Sequence, residues 1–311
     1  MTIEQQVIEW RHHIHKHPEF GFEEELTSAF VAEKLEEFGL EVHRNIGKTG
    51  VVGILKCGDS DRSIGLRADM DALHIEEKNT FAHASIHEGV MHACGHDGHT
   101  AMLLAAAKVI SETRNFDGTV YFIFQPGEEH GVGAKAMIAD GLFTKWKIDA
   151  VYAMHNLPGI PEGQFVTRPS SIMASESSFE IDIIATGGHA ALPHMGTDPI
   201  VVGAQVVTAL QTIVSRHLSS LDEVAVISVT EFATNGTVNV IPSRVKIKGD
   251  TRSFTDAALH KIEKAIERVV AGQCVSAGVD YKFEFINTFL STINTAEETE
   301  HAVKAATTVA G

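Results

Sequence analysis

The sequence predicts an α/β protein in which a second, α+β domain is inserted into the first. Three observations predict this class. Apolar segments typical of buried strands alternate with helical segments as far as residue 168. Beyond it the order becomes strand, helix, strand, strand, helix, strand, the split βαβ arrangement. Since 311 residues suffice for two domains, we expect one domain over 1–168, an inserted domain over 169–286 and a return to the first over 287–311.

The first domain is predicted to open with two helices. Apolar residues recur at helical spacing from Ile3 to Ile14, and Pro18 ends the run. A second helix is predicted over 23–38, with Gly39 as its C-terminal stop. Segments typical of buried strands follow at 50–57, 63–70, 120–126 and 150–155, with helices near 100–111 and 132–138.

The second domain has its own pattern of strands and long helices. We expect strands at 179–185, 225–232, 243–252 and 281–286, and helices at 199–218 and 256–277. Helical character returns from about residue 295. This order predicts a sandwich with its own helix-on-sheet core.

Composition narrows the classes of function. A net charge of −16 argues against nucleic acid as a partner. No apolar run approaches the length of a membrane span, so we expect no membrane partner. Three scattered cysteines and the lack of a secretory leader favour the cytoplasm. Eighteen histidines direct the search to metal or proton chemistry, although His12, His13, His15 and His17 cover several faces of the first helix and predict no site.

The strongest candidates lie where predicted strands meet helices. Cys94 and His96 form a C-x-H pair before an apolar helix, where one cation could take both sulfur and imidazole. A buried cysteine beside loop histidines would give the same pattern. His155 ends another buried strand, where a histidine can equally be capped by the backbone.

Acidic residues follow two other strands. Glu128 and Glu129 come after a buried strand, at the strand end where open α/β sheets place ligands. One of them could bind a cation while the other moves a proton. Asp69 and Asp71 could orient an imidazole ligand. Each acidic pair could also be a solvated turn. Taken together, these soft and hard donors predict a site for one or two Zn²⁺, Mn²⁺, Co²⁺ or Ni²⁺ ions.

A series of motifs runs in order along nearly the whole chain. They read RHHIHKHPEFGFEE, LRADMDAL, MHACGHDGHTAMLLAAA, FIFQPGEEHGVGAKAMI, AMHNLPGIPEGQF, GGHAALPH and NVIPSRVKIKGDTRSF. In these motifs the sequence resembles the metal-dependent M20 amidohydrolases, in particular the aminoacylase and hippurate-hydrolase branch. The resemblance implies a zinc-peptidase-like catalytic domain with a central mixed sheet and a two-metal site. It also implies a ferredoxin-like inserted domain that serves as a lid and as the interface of a homodimer.

The resemblance also implies roles for individual residues. Glu128 matches the general base. Asp71 matches the orienting carboxylate best, and Asp69 is the alternative. The positions that match the family's metal ligands are Cys94, His96, Glu129 and His155.

Three residues of the inserted domain match positions near the substrate. His189 matches a lid histidine that reaches across the dimer to steady the oxyanion, and Asn239 and Arg252 match residues near the substrate carboxylate. Without the resemblance, His189 reads as a solvated loop residue and Arg252 as the partner of Asp250 in a surface ion pair.

The implied activity is hydrolysis of the amide bond of N-acyl amino acids by a metal-activated water, with Glu128 as the general base. Alternatives in the same family are an N-acetyl-diaminopimelate deacetylase and a peptidase for small peptides. A metal-binding module without catalysis is the alternative from another class. The family's last histidine ligand and the Gly-Glu-Asp-Phe-like loop before it do not occur up to Gly311. We therefore expect the chain to stop inside its final helix, which bears on the second metal site and on activity.

Overall fold

The protein is described by a computed structural model that covers residues 1–221 and 223–310. The chain forms two compact units, Met1–Gln164 and a second unit that begins at Phe165. The predicted boundary at 168/169 and the return of 287–311 to the first domain stay predictions.

The first unit is built on a mixed sheet. Its strands are β1 (Glu41–Ile46), β2 (Gly50–Cys57), β3 (Ser63–Asp69), β4 (Gly118–Gln125) and β5 (Ala150–Ala153). They lie in the order β1-β2-β4-β3-β5, and β3 is parallel to both of its neighbours while β1 and β2 pair antiparallel. The α/β class with a central mixed sheet is confirmed.

Helices cover both faces of this sheet. They are α1 (Ile3–Lys16), α2 (Glu25–Glu37), α3 (His96–Thr113), α4 (Gly133–Ala139) and α5 (Leu142–Lys145). Along β4, Phe122 and Phe124 belong to the core shared with the first three helices, whereas Ile123 packs with Met137 and Leu142 on the other face. Because both faces are covered, β4 reads as a continuous apolar run.

The helix α3 and the strand β1 differ from the sequence predictions. The helix α3 begins at His96, in front of the predicted start near residue 100, so His96 lies in its first turn. Gly95 before it has a φ of 95°, a left-handed conformation that favours glycine. The strand β1 was not predicted, because it lies at the sheet edge and carries mostly polar, partly exposed residues instead of an apolar run.

The second unit contains an antiparallel sheet backed by two helices. The strands β7 (Ser175–Ile184), β9 (Ala225–Thr234), β11 (Arg244–Ser253) and β12 (Asp280–Phe289) lie in the order β12-β7-β11-β9. The helices α6 (Pro199–Thr212) and α7 (Asp256–Ala277) share a core with one face of this sheet. This is the predicted ferredoxin-like arrangement.

Short elements complete the second unit. They are β6 (Ser170–Met173), which pairs with β13 (Thr292–Asn294), β8 (Gly188–His189), which pairs with β10 (Val240–Ile241), and α8 (Ala296–Ala310). The stretch Pro199–His217 is long and apolar enough to cross a membrane by length and composition. Four of its residues belong to the core of this unit, as in a core helix: Val202, Val206, Leu210 and Ile213.

Candidate metal centre

Three neighbouring parallel strands bring the candidate residues to one edge of the first sheet. Asp69 ends β3 in register with Gln125, the last residue of β4, so the loop with Glu128 and Glu129 begins beside it. His155 follows β5, the other neighbour of β3. Parallel strands place their carboxyl ends together, and open α/β sheets bind ligands at this edge. Residues far apart in sequence therefore meet.

His96 is held by one ring nitrogen and leaves the other free. Nδ1 donates to the backbone oxygen of Asp71 at 2.8 Å and lies 3.2 Å from its Oδ1. Nε2 is buried and has no hydrogen-bond partner among the described residues. It lies 3.7 Å from Asp69 Oδ2, 3.9 Å from Glu128 Oε2 and 3.8 Å from Glu129 Oε1. A nitrogen that can bind a metal, His96 Nε2, therefore lies close to three carboxylates.

His155 shows the same division of its ring. Its Nδ1 donates to the backbone oxygen of Asn156 at 2.7 Å, and its Nε2 lies 3.5 Å from the Cys94 sulfur. Histidines that bind metals commonly donate the other ring N–H to a carbonyl or carboxylate, which sets the tautomer. Both predicted ligand histidines are arranged in this way.

The donor set fits a divalent cation. Ligand atoms of Cys94, His96 and Glu129 lie within 4.8 Å of one another, and so do those of Asp69, His96, His99 and His155. Glu129 Oε1, like His96 Nε2, is buried without a hydrogen-bond partner in the part of the chain that the structure describes. Buried polar atoms without partners cost free energy, and a cation bound between them would remove that cost. Sulfur, nitrogen and carboxylate donors are ligands that Zn²⁺ accepts.

The electrostatics of the site favour positive charge. Burial raises the pKa of Asp69, but the hydrogen bond from His99 and the charge of Arg67 outweigh it and hold that pKa well below its usual range. Burial lowers the pKa of His96, but the hydrogen bond with Asp71 and the charges of Asp69 and Asp71 raise it to about 11. In the metal-free protein the acids therefore hold a proton on His96, which a metal cation would displace.

Glu128 differs from its neighbour Glu129. Burial and the charge of Asp69 raise the pKa of Glu128 above its usual value. Its side chain is 29% exposed, against 19% for Glu129. A carboxyl group with a raised pKa at the rim of a cation site is suited to accept and return a proton.

The three residues predicted to lie near the substrate, His189, Asn239 and Arg252, all belong to the second unit. His189 on β8 pairs with Val240, and the backbone oxygen of Asn239 accepts from Ala190 N at 3.0 Å, so the two predicted residues belong to one ribbon. Arg252 on β11 contacts Glu176 at 2.7 Å and Asp250 at 3.0 Å. Their roles toward substrate stay predictions.

Sequence reasoning missed His99. This buried histidine follows His96 by three residues on α3, with Nδ1 2.6 Å from Asp69 Oδ1 and Nε2 2.7 Å from Asn156 Oδ1. The signal was present in the sequence, because residues three apart on a helix share a face. It was hidden because the helix was predicted to start later.

The fold and the donor set define a class, the metal-binding hydrolases with a mixed α/β sheet. The sequence matches peptidase family M20/M25/M40 over residues 65–311. It is 46% identical to the hippurate hydrolase of Campylobacter jejuni over 82% of this chain and 68% of that protein. It is 42% identical to an N-acyl-L-amino acid amidohydrolase of Geobacillus stearothermophilus, over 94% of this chain and 79% of the relative.

A solved structure supports the same class of protein. A Bacillus subtilis protein described as a dinuclear metal-binding peptidase of the M20 family superposes with a TM-score of 0.85 and 31% identity, over 98% of this chain and 80% of that one. The chain belongs to peptidase family M20/M25/M40 and is an amidohydrolase of the metal-binding type.

Proposed function

We propose that this protein hydrolyses the amide bond of N-acyl amino acids with the help of a divalent metal ion. The observation that carries the proposal is the juxtaposition of Glu128, whose pKa is raised, with His96 Nε2 and Glu129 Oε1, two buried atoms that have no hydrogen-bond partner among the described residues. The two relatives, a hippurate hydrolase and an N-acyl-L-amino acid amidohydrolase, support this class of substrate.

Cys94, His96, Glu129 and His155 would hold the metal. When bound, the metal supplies a Lewis acid that polarises the amide carbonyl and lowers the pKa of a coordinated water. A sulfur and two imidazole nitrogens favour Zn²⁺, with Mn²⁺ next and Co²⁺ or Ni²⁺ as further candidates. The dinuclear relative supports a second ion.

Residues that do not bind the metal have separate roles in the proposed reaction. Glu128 takes a proton from the attacking water and returns it to the leaving amine, and its raised pKa suits both steps. Asp71 keeps the proton of His96 on Nδ1 and so leaves Nε2 for the metal. We assign oxyanion stabilisation to His189 and substrate carboxylate binding to Asn239 and Arg252, because of the motifs they belong to.

We further propose that the protein is a cytoplasmic homodimer built through residues of about 170 to 285. The sheet of the second unit has β9 and β12 at its two edges, where a second copy can add its own strand. Ile200 and Val201 on α6 are exposed apolar residues on the same unit. Metal binding by Cys94 requires a reduced thiol, which the cytoplasm maintains.

Hydrolysis assays test the proposed reaction. Protein stripped with a chelator and reloaded with Zn²⁺ or Mn²⁺ is given hippurate, N-acetyl amino acids, N-acetyl-diaminopimelate and dipeptides. We expect metal-dependent release of the amino acid from the N-acyl substrates. Cleavage confined to N-acetyl-diaminopimelate, or to dipeptides, would replace this proposal by the corresponding family alternative. Metal binding without turnover of any substrate would indicate a non-catalytic module.

Subunit exchange tests the lid role. Two inactive variants, His189→Ala and Glu128→Gln, are mixed under conditions in which labelled subunits exchange. A hybrid dimer then has one site with intact Glu128 from one chain and intact His189 from the other. Recovered activity supports sharing across the interface. Exchange without recovery means that His189 acts within its own chain or has no role.

A further inference from the structure

Both ring nitrogens of His99 contact residues that are not among the proposed metal ligands. Asp69 Oδ1 lies 2.6 Å from its Nδ1, whereas the Asn156 side chain and backbone N–H lie 2.7 and 3.2 Å from its Nε2. His96 and His155 each have one nitrogen bound to a carbonyl oxygen and the other directed at donors of the site. This difference argues against His99 as a ligand, although its atoms lie close enough to those of Asp69, His96 and His155.

The partners of His99 determine where its proton lies. Asp69 also pairs with Arg67 at 2.6 Å, and a carboxylate in an ion pair can only accept. Nδ1 of His99 therefore carries the proton. With this proton on Nδ1, Nε2 can accept from the backbone N–H of Asn156 at 3.2 Å, and from the Asn156 side chain at 2.7 Å when its amide is turned so that the NH₂ group faces the ring. His99 thus connects the end of β3 to the loop after β5.

The peptide segment held by His99 also holds the ring of His155. The backbone oxygen of Asn156 accepts from Nδ1 of His155 at 2.7 Å, and Nε2 then lies 3.5 Å from the Cys94 sulfur. The Asn156 side chain lies against Gly95, where a Cβ would meet its Oδ1 at 2.3 Å. Asn156 therefore contacts both His99 and the loop that carries Cys94.

We propose that His99 is a positioning residue that acts through Asn156 to keep the His155 ring in the orientation and tautomer that direct Nε2 to the metal site. Partners of this kind commonly contribute about 10–100-fold to metal affinity without being ligands. The proposal rests on the proposed metal centre and is independent of the substrate. It adds a residue three positions from a ligand to the machinery of the site.

The tautomer of His155 in the metal-free protein provides a spectroscopic test that does not depend on activity. Long-range ¹H–¹⁵N correlation of the imidazoles should show His155 with its proton on Nδ1 in the wild-type protein. We expect His99→Leu to give a mixture of tautomers. A His155 signal identical to that of the wild-type protein in His99→Leu would overturn the proposal.

Two conservative variants separate the two hydrogen bonds of His99. The amide of His99→Gln lies near the position of Nε2 and can accept from Asn156 N–H, whereas that of His99→Asn lies near Nδ1 and can reach only Asp69. We expect the Gln variant to restore the wild-type tautomer and the Asn variant to resemble His99→Leu. Rescue by Asn and not by Gln would show that the Asp69 contact matters instead. If His99→Leu fails to fold, the comparison of the Gln and Asn variants still shows which of the two contacts of His99 sets the His155 tautomer.

Zinc affinity, measured by competition with a chelator, supplies the second readout. His99→Leu and His99→Asn should weaken binding by about 10–100-fold at unchanged stoichiometry, and His99→Gln should stay close to wild type. Loss of an ion per chain would make His99 a ligand and contradict the proposal.

His92 offers a matched control. It is buried, lies just before α3, and neither ring nitrogen has a hydrogen-bond partner within the described residues. His92→Leu should leave the His155 tautomer and the zinc affinity unchanged. Both readouts apply even if no N-acyl amino acid is hydrolysed, so failure of this proposal and failure of the proposed reaction are distinguishable.

Discussion

Charged residues are used in opposite ways in the two units. At the strand ends of the first unit, Asp69, Asp71 and His96 are buried, and His96 Nε2 and Glu129 Oε1 have no hydrogen-bond partner in the described part of the chain. On one face of the second sheet, acids of β7 pair across the strands with bases of β11, and most of these side chains are about a third to a half exposed. The pairs are Arg244–Asp182, Lys246–Glu180 and Arg252–Glu176.

The comparison shows that residue type does not distinguish a reactive site from a structural one. An exposed ion pair gains little, because water solvates both partners well. A buried charge must find partners, and where the protein leaves one atom without a partner, a ligand can complete the set. His15 is an intermediate case: it is buried like His96, but Asp97 at 2.9 Å and Glu77 at 3.1 Å engage both of its nitrogens.

The largest expected effect is on turnover, at the candidate metal site of the first unit. Glu128→Gln should lower turnover by about 10²–10⁴-fold while metal content is kept, because the amide preserves shape but cannot take a proton. Metal analysis and steady-state kinetics measure the two quantities. Glu129→Gln is the matched control and should lose metal. If metal content falls with activity in Glu128→Gln, then Glu128 is a ligand and the distinction between the two acids is wrong.

The buried pair around His15 should show the next largest effect, on stability. His15→Gln removes the buried cation between Asp97 and Glu77 and leaves Asp97 with only the half-exposed Arg11, at 3.0 Å, among the described cationic partners, which should cost about 3 kcal/mol of unfolding free energy. The hydrogen bond to Asp97 raises the pKa of His15 above its usual value, against burial and with help from Glu77. The contribution of the charged ring is therefore complete below pH about 6.5 and is lost as pH rises through the folded pKa.

Thermal unfolding between pH 6 and 9 checks this expectation. The difference in melting temperature between wild type and His15→Gln should be widest at pH 6 and should narrow as pH rises. The exposed His13→Gln on the same helix should have little effect throughout. A difference that widens with pH would contradict the assignment of a charged His15.

Cys94→Ser tests whether the sulfur of Cys94 binds the metal. A hydroxyl is a poor replacement for a thiolate on a borderline-soft cation. Loss of a residue that only orients a ligand lowers metal affinity by about 10–100-fold, and loss of a ligand should lower the affinity for Zn²⁺ by at least as much. Calorimetric titration measures it. Cys57→Ser is the matched control, because the Cys57 sulfur donates to the backbone oxygen of Arg114 at 3.3 Å and belongs to neither group of candidate metal ligands among the described residues. Equal affinities of both variants would exclude Cys94 as a ligand.

Arg252 should give the smallest effects. Arg252→Ala removes a partly exposed pair with Glu176, so the unfolding free energy should change by less than about 1 kcal/mol. If Arg252 binds the substrate carboxylate, KM should rise about tenfold, which is about 1.4 kcal/mol, at similar kcat. An N-acyl amine without the carboxylate is the control substrate. The same rise in KM for both substrates would assign Arg252 a structural role only.

Much of the fold was predictable because its signals are local. The apolar run of β4 and the helical spacing along α1 follow from burial of one or both faces, and the glycine after α2 marks its end. The edge strand β1 was missed because exposure on its open side removes the apolar signal. The start of α3 was placed too late, since its first turn is polar and faces the site.

The sequence by itself determined which kinds of groups are present at the strand ends: a thiol, imidazoles and acids at the spacing of a metal-binding hydrolase. The tertiary structure decided which atom of each group is available. His96 keeps Nε2 free because Asp71, 25 residues away, takes Nδ1, while His99 loses both nitrogens to residues 30 and 57 positions away. Hydrogen-bond partners of this kind are set by how parallel strands and α3 pack, so periodicity and spacing along the chain cannot reveal them.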